Sequence, residues 1–312
     1  VGIAVADLDN DGRQETAIAM ETYLLITQIA QGKMVEEGRI DLPPGEKLLS
    51  IDSLDLDRNG SQELYLTAVR DQRLISMCIE YTDSGYQITI NHIPWFLRAN
   101  ELPGEGRVLL GQSMGDYEQP FHQQPFRVTR EGNSLQKGQE FTLPAHANVY
   151  GFNSLSDSSN QQFIAYLTKG DYLKVVSAAG TELWESSEYF GGSETNFYNK
   201  EDLDGDLINP IYIQQRILRT PAGEILVSQN DGTRVMQRFR MFKNSRIIAL
   251  NWNGFALQES WRTSGLNGYL ADFILADADN DGSDELVMVV KFKHKTILNP
   301  ARSTVVIYEL NN

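Results

Sequence analysis

Three nine-residue segments constrain this chain more than any other feature. They are "DLDNDGRQE" at residues 7–15, "DLDRNGSQE" at 55–63 and "DADNDGSDE" at 277–285. All fit D-x-D-x-[DN]-G-x-x-E, and three matches in 312 residues mark an internal repeat. The flanks repeat as well. A short apolar run precedes each core ("GIAVA", "LLSIDSL", "FILA"), and a branched, β-rich run follows it ("TAIAM", "LYLTAV", "LVMVVKF"). Short apolar runs bounded by Gly, Asn and Asp are strand signals, so each repeat reads as strand, acidic loop, strand.

The spacing predicts the architecture. Asp7 and Asp55 lie 48 residues apart, about one four-stranded propeller blade. Asp55 to Asp277 is 222 residues, room for several more such units. Strand-like runs between them group into units at about 95–144, 148–187 and 211–264. With the motif-bearing repeats at 1–49, 50–94 and 268–312, the expectation is one all-β propeller over 1–312. It has six blades of four antiparallel strands, and a seventh could be held in section 185–210. The last unit shows three clear strands. A propeller must close its ring or leave edges exposed, and a segment upstream of Val1 could supply the missing outer strand.

The chemistry of the loops follows from their spacing. Hard cations such as calcium take six to eight oxygen ligands. Carboxylates at alternate positions of a tight loop can converge on one point, a Gly at the sixth position permits the turn, and a backbone carbonyl can serve from the seventh. A helical EF-hand shares the first six positions but needs Glu at position 12, where this chain has Ile18, Leu66 and Met288. The acid falls instead at position 9.

A nine-residue loop of this form between strands resembles the calcium loops of the FG-GAP/VCBS repeat family, to which the integrin α-chain propeller is related. The resemblance implies about three Ca2+ sites. The first would use Asp7, Asp9, Asp11, the Arg13 carbonyl and Glu15. The second would use Asp55, Asp57, Asn59, the Ser61 carbonyl and Glu63. The third would use Asp277, Asp279, Asp281, the Ser283 carbonyl and Glu285. The Phe-Gly and Gly-Ala-Pro pairs of the integrin version are missing, so integrin-like ligand binding is not implied. A fourth acidic stretch, with Asp202, Asp204 and Asp206, has Leu207 and Pro210 where the pattern needs Gly and Glu, and reads as a solvated loop.

Other features narrow the function. A net charge of −15 disfavours nucleic acid and anionic membranes as partners. No run of 18 apolar residues is present, so no membrane insertion is expected. The lone Cys78 lies in a strand-like run and reads as a structural thiol. "GQSMG" at 111–115 has the G-x-S-x-G form, but two prolines follow where a nucleophile elbow needs a helix. Tyr117, Phe121, His122 and Phe126 form a candidate binding loop. Trp95, Trp184, Trp252 and Trp261 read as packing residues. The expected function is a non-enzymatic binding, adhesion or scaffold module of an extracytoplasmic protein (secreted, periplasmic or at the cell surface). Its partner would be a protein or a cell-surface glycan. The alternative is a carbohydrate-active propeller, lyase-like or lectin-like.

Overall fold

The computed structural model of the chain describes residues 2–30, 32–157, 161–199, 209–234, 239–292 and 302–310. All regular structure among them is β. It forms a six-bladed β-propeller of antiparallel sheets. Blade 1 comprises Gly2–Ala6, Glu15–Ala19, Tyr23–Ala30 and Lys33–Asp41. Blade 2 comprises Lys47–Leu54, Glu63–Arg70, Ser76–Thr82 and Gly85–Ile93. Blade 3 comprises Trp95–Leu102, Gly106–Met114, Phe121–Glu131 and Ser134–Glu140. Blade 4 comprises Phe152–Ser156, Gln162–Leu167, Tyr172–Ser177 and Glu182–Tyr189. Blade 5 comprises Ile217–Arg219, Ile225–Thr233, Met241–Trp252 and Leu257–Arg262. Blade 6 has three strands among the described residues: Tyr269–Ala276, Glu285–Phe292 and Arg302–Tyr308.

The burial of each strand explains its composition. In blade 1 the two inner strands are buried throughout, whereas Lys33–Asp41 is almost wholly exposed. An inner strand is covered on both faces by neighbouring blades, so it reads as a continuous apolar run; the rim strand faces water and carries charge. From blade 6 through blade 1 to blade 5 the first strands of neighbouring blades pack side by side around the axis, and Gly2–Ala6 touches both Lys47–Leu54 and Tyr269–Ala276. That double contact closes the ring between blades 6 and 1. The seam has an apolar cluster of its own, including Ile3, Val5, Tyr269, Ile274 and Val287.

Two expectations need correction. Ile211–Tyr212 does not open blade 5; it pairs with Asn196–Phe197 in a separate two-stranded ribbon, and the blade starts at Ile217. The described part of section 185–210 therefore holds the end of blade 4 and one strand of this ribbon, not a seventh blade. Its anchor is Phe197, 1 % exposed, which packs against Phe96 and Phe121 with ring centroids 5.2 and 6.1 Å away. An aromatic anchor of this kind has the composition of a blade strand, so its sequence resembles one without forming one.

Candidate metal centres

In blades 1, 2 and 6 the acidic segment joins the first strand to the second. Its position-9 Glu opens the second strand and pairs with the last residue of the first. The pairs are Glu15 with Ala6, Glu63 with Leu54 and Glu285 with Ala276. Both ends of each loop are thus fixed by the ladder, and the chain between them must reverse sharply. It does so with left-handed backbone at position 4 (Asn10, Arg58 and Asn280, φ 62°, 60° and 64°) and at position 6 (Gly12, Gly60 and Gly282, φ 87°, 99° and 93°). Glycine enters that region without a Cβ penalty, which accounts for the sixth position of the motif.

The turn aims backbone donors at the acids. The position-1 carboxylate accepts the N–H groups of positions 5 and 6. These bonds measure 3.2 and 3.0 Å at Asp7, 3.1 and 3.0 Å at Asp55, and 3.0 and 3.0 Å at Asp277. Asp9, Asp57 and Asp279 each accept from the position-5 N–H. Asp11, Asn59 and Asp281 accept the N–H of Arg13, Ser61 and Ser283, respectively. The position-9 Glu reaches back to the N–H of position 2: Glu15 to Leu8 (2.8 Å), Glu63 to Leu56 (2.9 Å) and Glu285 to Ala278 (2.8 Å). Bonds to ionised carboxylates hold the loops in shape and leave the remaining oxygens converging.

Ligand atoms of Asp277, Asp279, Asp281 and Glu285 lie within 4.8 Å of one another, as do those of Asp7, Asp9 and Glu15, and those of Asp55, Asp57 and Glu63. Asp11 is not brought into the first group. All three Glu side chains are buried, at 0–1 % exposure. Burial, followed by neighbouring carboxylates, pushes Glu15 and Glu285 up to about 7. Glu37 adds to the repulsion at the first site and Glu309 at the third. Glu15 Oε1 and Glu285 Oε1 are buried with no hydrogen-bond partner. A buried carboxylate oxygen without a donor costs several times a typical hydrogen bond, and a hard cation removes that cost. The donor sets of the first and third loops therefore fit such an ion: all oxygen, mostly carboxylate, in a loop without a covering helix.

The second loop differs. Arg130, from the third strand of blade 3, reaches across the blade boundary with its side chain only 6 % exposed. Its Nη1 donates to Glu63 Oε1 at 3.1 Å and Glu80 Oε1 at 2.6 Å, and stands 3.5 Å from Asp57 Oδ2. The oxygen that is orphaned in the other two loops is thus already paired. Burial also pushes Glu63 up to about 7, with the guanidinium working against it. Burial would raise Glu80 too, but there the Arg130 contact prevails and holds it below the usual carboxylate range. Nothing near the motif in sequence points to Arg130, which lies 67 residues after Glu63.

The three loops also touch one another. Asn280 accepts the Gln14 N–H at 2.6 Å and donates to the Gln14 carbonyl at 3.3 Å, clamping blade 6 to blade 1. Gln62 N–H donates to the Asp7 carbonyl at 3.0 Å, linking blade 2 to blade 1. The motif-bearing blades are consecutive around the ring, so all three loops share one face and straddle the seam.

The remaining sequence-based sites fall elsewhere. Phe126 is 1 % exposed, and Phe121 packs on Phe96 and Tyr150, so neither is presented for recognition. His122 is exposed on the same strand, and the Tyr117 hydroxyl accepts from Asn209 at 3.3 Å. The candidate binding loop is thus split between core and surface. Ser113 pairs with Trp95 and His122 inside blade 3, and a hairpin rather than a helix follows it. Trp95 lies edge-on to Phe126 and Trp252 packs on Phe163. Trp184 and Trp261 also pack against core clusters. Burial pushes the Cys78 thiol up to about 12, consistent with an inert core residue. Asp202, Asp204 and Asp206 lie outside the described residues.

No protein-family model matches the chain, and no curated protein matches it. Among solved structures, it is similar to BBS1N crystallised in complex with ARL6DN, at 12 % identity and a TM-score of 0.40, covering 92 % of this chain and 87 % of that one. It is also similar to a protein from Lactobacillus plantarum, at 11 % identity and a TM-score of 0.45, covering 93 % and 80 %.

Proposed function

We propose that the chain is a calcium-stabilised propeller of the FG-GAP/VCBS type, serving as a non-enzymatic binding or scaffold module of an extracytoplasmic protein. The observation that carries the calcium reading is the pair of buried, unpartnered oxygens, Glu15 Oε1 and Glu285 Oε1, each set among converging aspartates. Calcium suits these loops better than magnesium, which keeps several waters and demands near-ideal octahedral geometry. Two full sites are expected at the first and third loops. The second loop is largely compensated by Arg130 and takes an ion weakly or not at all.

The extracytoplasmic location rests on the resemblance of the loops to those of extracellular calcium modules. Extracellular calcium modules commonly bind at about 10⁻⁴ to 10⁻³ M, so such sites fill only in a calcium-rich space. At ~1 mM calcium and a ~10⁻⁴ M site, linkage adds roughly 1.4 kcal/mol per ion. The partner class is a protein or a cell-surface glycan, since propellers present loops on a rigid frame. No helix among the described residues is long and apolar enough to cross a membrane. The test is metal analysis after dialysis, paired with melting in EDTA and in millimolar calcium. Two bound ions per chain and a higher melting temperature are expected. No bound metal and an unchanged melting temperature would overturn the proposal.

A further inference from the structure

The propeller axis holds a second polar assembly, distant in character from the acidic loops. The innermost strands bring together Asp52 of blade 2, Arg98 of blade 3 and Asp272 of blade 6, with Arg216 just ahead of the first strand of blade 5. All four are buried, at 1–7 % exposure. Arg216 is fully engaged. Its Nε and Nη2 donate to the two oxygens of Asp272, each at 2.7 Å, and its Nη1 donates to Asp52 Oδ1 at 3.2 Å. Its Nη2 also faces the carbonyls of Ile51 and Ile3. Asp272 accepts two further bonds, from Ile3 N–H and Phe273 N–H.

Arg98 is not matched in this way. Its only acceptor among the described residues is Asp52 Oδ2, at 3.4 Å from Nη1, and its guanidinium lies 5.7 Å from the Tyr150 ring centroid. No described residue accepts from its Nε–H or Nη2–H groups. Burial, and then the like charge of Arg216, disfavour the charged form of Arg98. Arg107 adds positive charge to the cluster, with Glu101 opposing it from the exposed end of the same hairpin.

Beside Arg98 is a cavity of about 20 Å³, lined by Ser50, Thr195, Gln214, Arg216 and Asp272 as well as Arg98 itself. That is enough for one water-sized particle. Gln214 accepts from Asn148 through Oε1 at 2.8 Å, and its Nε2 has no acceptor among the described residues. The lining thus offers donors that no described residue accepts, from the buried Arg98 and the half-buried Gln214, while the carboxylates beside it are already bonded. A water would bring donors of its own that these groups do not need. An acceptor-only particle satisfies the lining better.

We propose that the axial cavity binds one small monovalent anion of chloride size, which accepts from Arg98 and Gln214 and completes the buried network that joins blades 2, 3, 5 and 6. Two measurements test it, both with calcium held constant. In crystals grown from sodium bromide, an anomalous peak beside Arg98 supports the site; water alone there overturns it. In thermal melts at fixed ionic strength, replacing gluconate, which is too large for the cavity, with chloride is expected to raise the melting temperature saturably by a few degrees. The Gln214→Glu variant places a carboxylate at the cavity while keeping the Asn148 bond. It is expected to lose the chloride response and to melt, without chloride, at or above the chloride-loaded parent. Arg98→Met is expected to lose the response too; should it fail to fold, Gln214→Glu and the bromide crystals still decide. An unaltered chloride response in Gln214→Glu, or equal melting of the parent in the two anions, would overturn the proposal.

Discussion

The first and third acidic loops and the second share one motif, one backbone and one set of internal hydrogen bonds, yet they answer the same electrostatic problem differently. At Glu15 and Glu285 the inner carboxylate oxygen is buried and unpaired, with a further acid, Glu37 or Glu309, acting on it. At Glu63 the same oxygen accepts from Arg130. The difference shows that the acidic-loop motif specifies a cluster of converging oxygens but not what neutralises them. A guanidinium from the next blade can take that place.

The largest expected effect comes from Arg130→Met. It strips Glu63 and Glu80 of a buried partner, and breaking such a pair costs about 3–5 kcal/mol. Urea unfolding in EDTA should show that loss. Millimolar calcium should then restore part of it, with metal analysis rising from two ions to three. No extra recovery in calcium would break the equivalence drawn between the guanidinium and the ion.

Next in size is Glu285→Gln. In calcium it should lose one bound ion and roughly 1.4 kcal/mol. In EDTA it should be neutral or slightly stabilising, because it removes a buried charge set among like charges. Glu63→Gln should differ in being indifferent to calcium: losing the charge that faces Arg130 is offset by relief of the same burial penalty, for a net change of about 1 kcal/mol or less. Calcium-dependent unfolding curves of the two variants side by side would sharpen the comparison; identical behaviour would erase it.

The smallest effect is expected from Asn280→Gly, which tolerates the left-handed backbone there. It removes both bonds to Gln14 at the seam, worth about 1 kcal/mol. Hydrogen exchange at the Gln14 amide should quicken in this variant while calcium stoichiometry stays at two. A drop in stoichiometry would mean that the seam clamp also shapes the ion site.

Much of this molecule is local and therefore legible. Each acidic loop is built from contacts within nine residues, such as Gly12 N–H to Asp7 and Leu8 N–H to Glu15, so spacing alone predicts its form. The six blades follow from hairpin-connected strands whose apolar inner runs and charged rims alternate along the chain. The ribbon of Asn196–Phe197 and Ile211–Tyr212 is not legible in the sequence, because its buried Phe197 and Ile211 match the side chains of a blade strand. The axial network left only a faint signal: a lone charge inside each apolar first strand, Asp52 in "LLSIDSL", Arg98 in "WFLRA" and Asp272 in "YLADFILA".

The repeat, the turn chemistry of the loops and the positions of their acids are set by residues a few places apart in the chain, so they can be read from the sequence. Tertiary structure alone decided which charges meet. Arg130 lies 50 residues from Glu80, and Arg216 lies 164 from Asp52 and 56 from Asp272. Only the packing of whole blades against one another brings such groups within 3.5 Å, in an interior where a missing partner is costly.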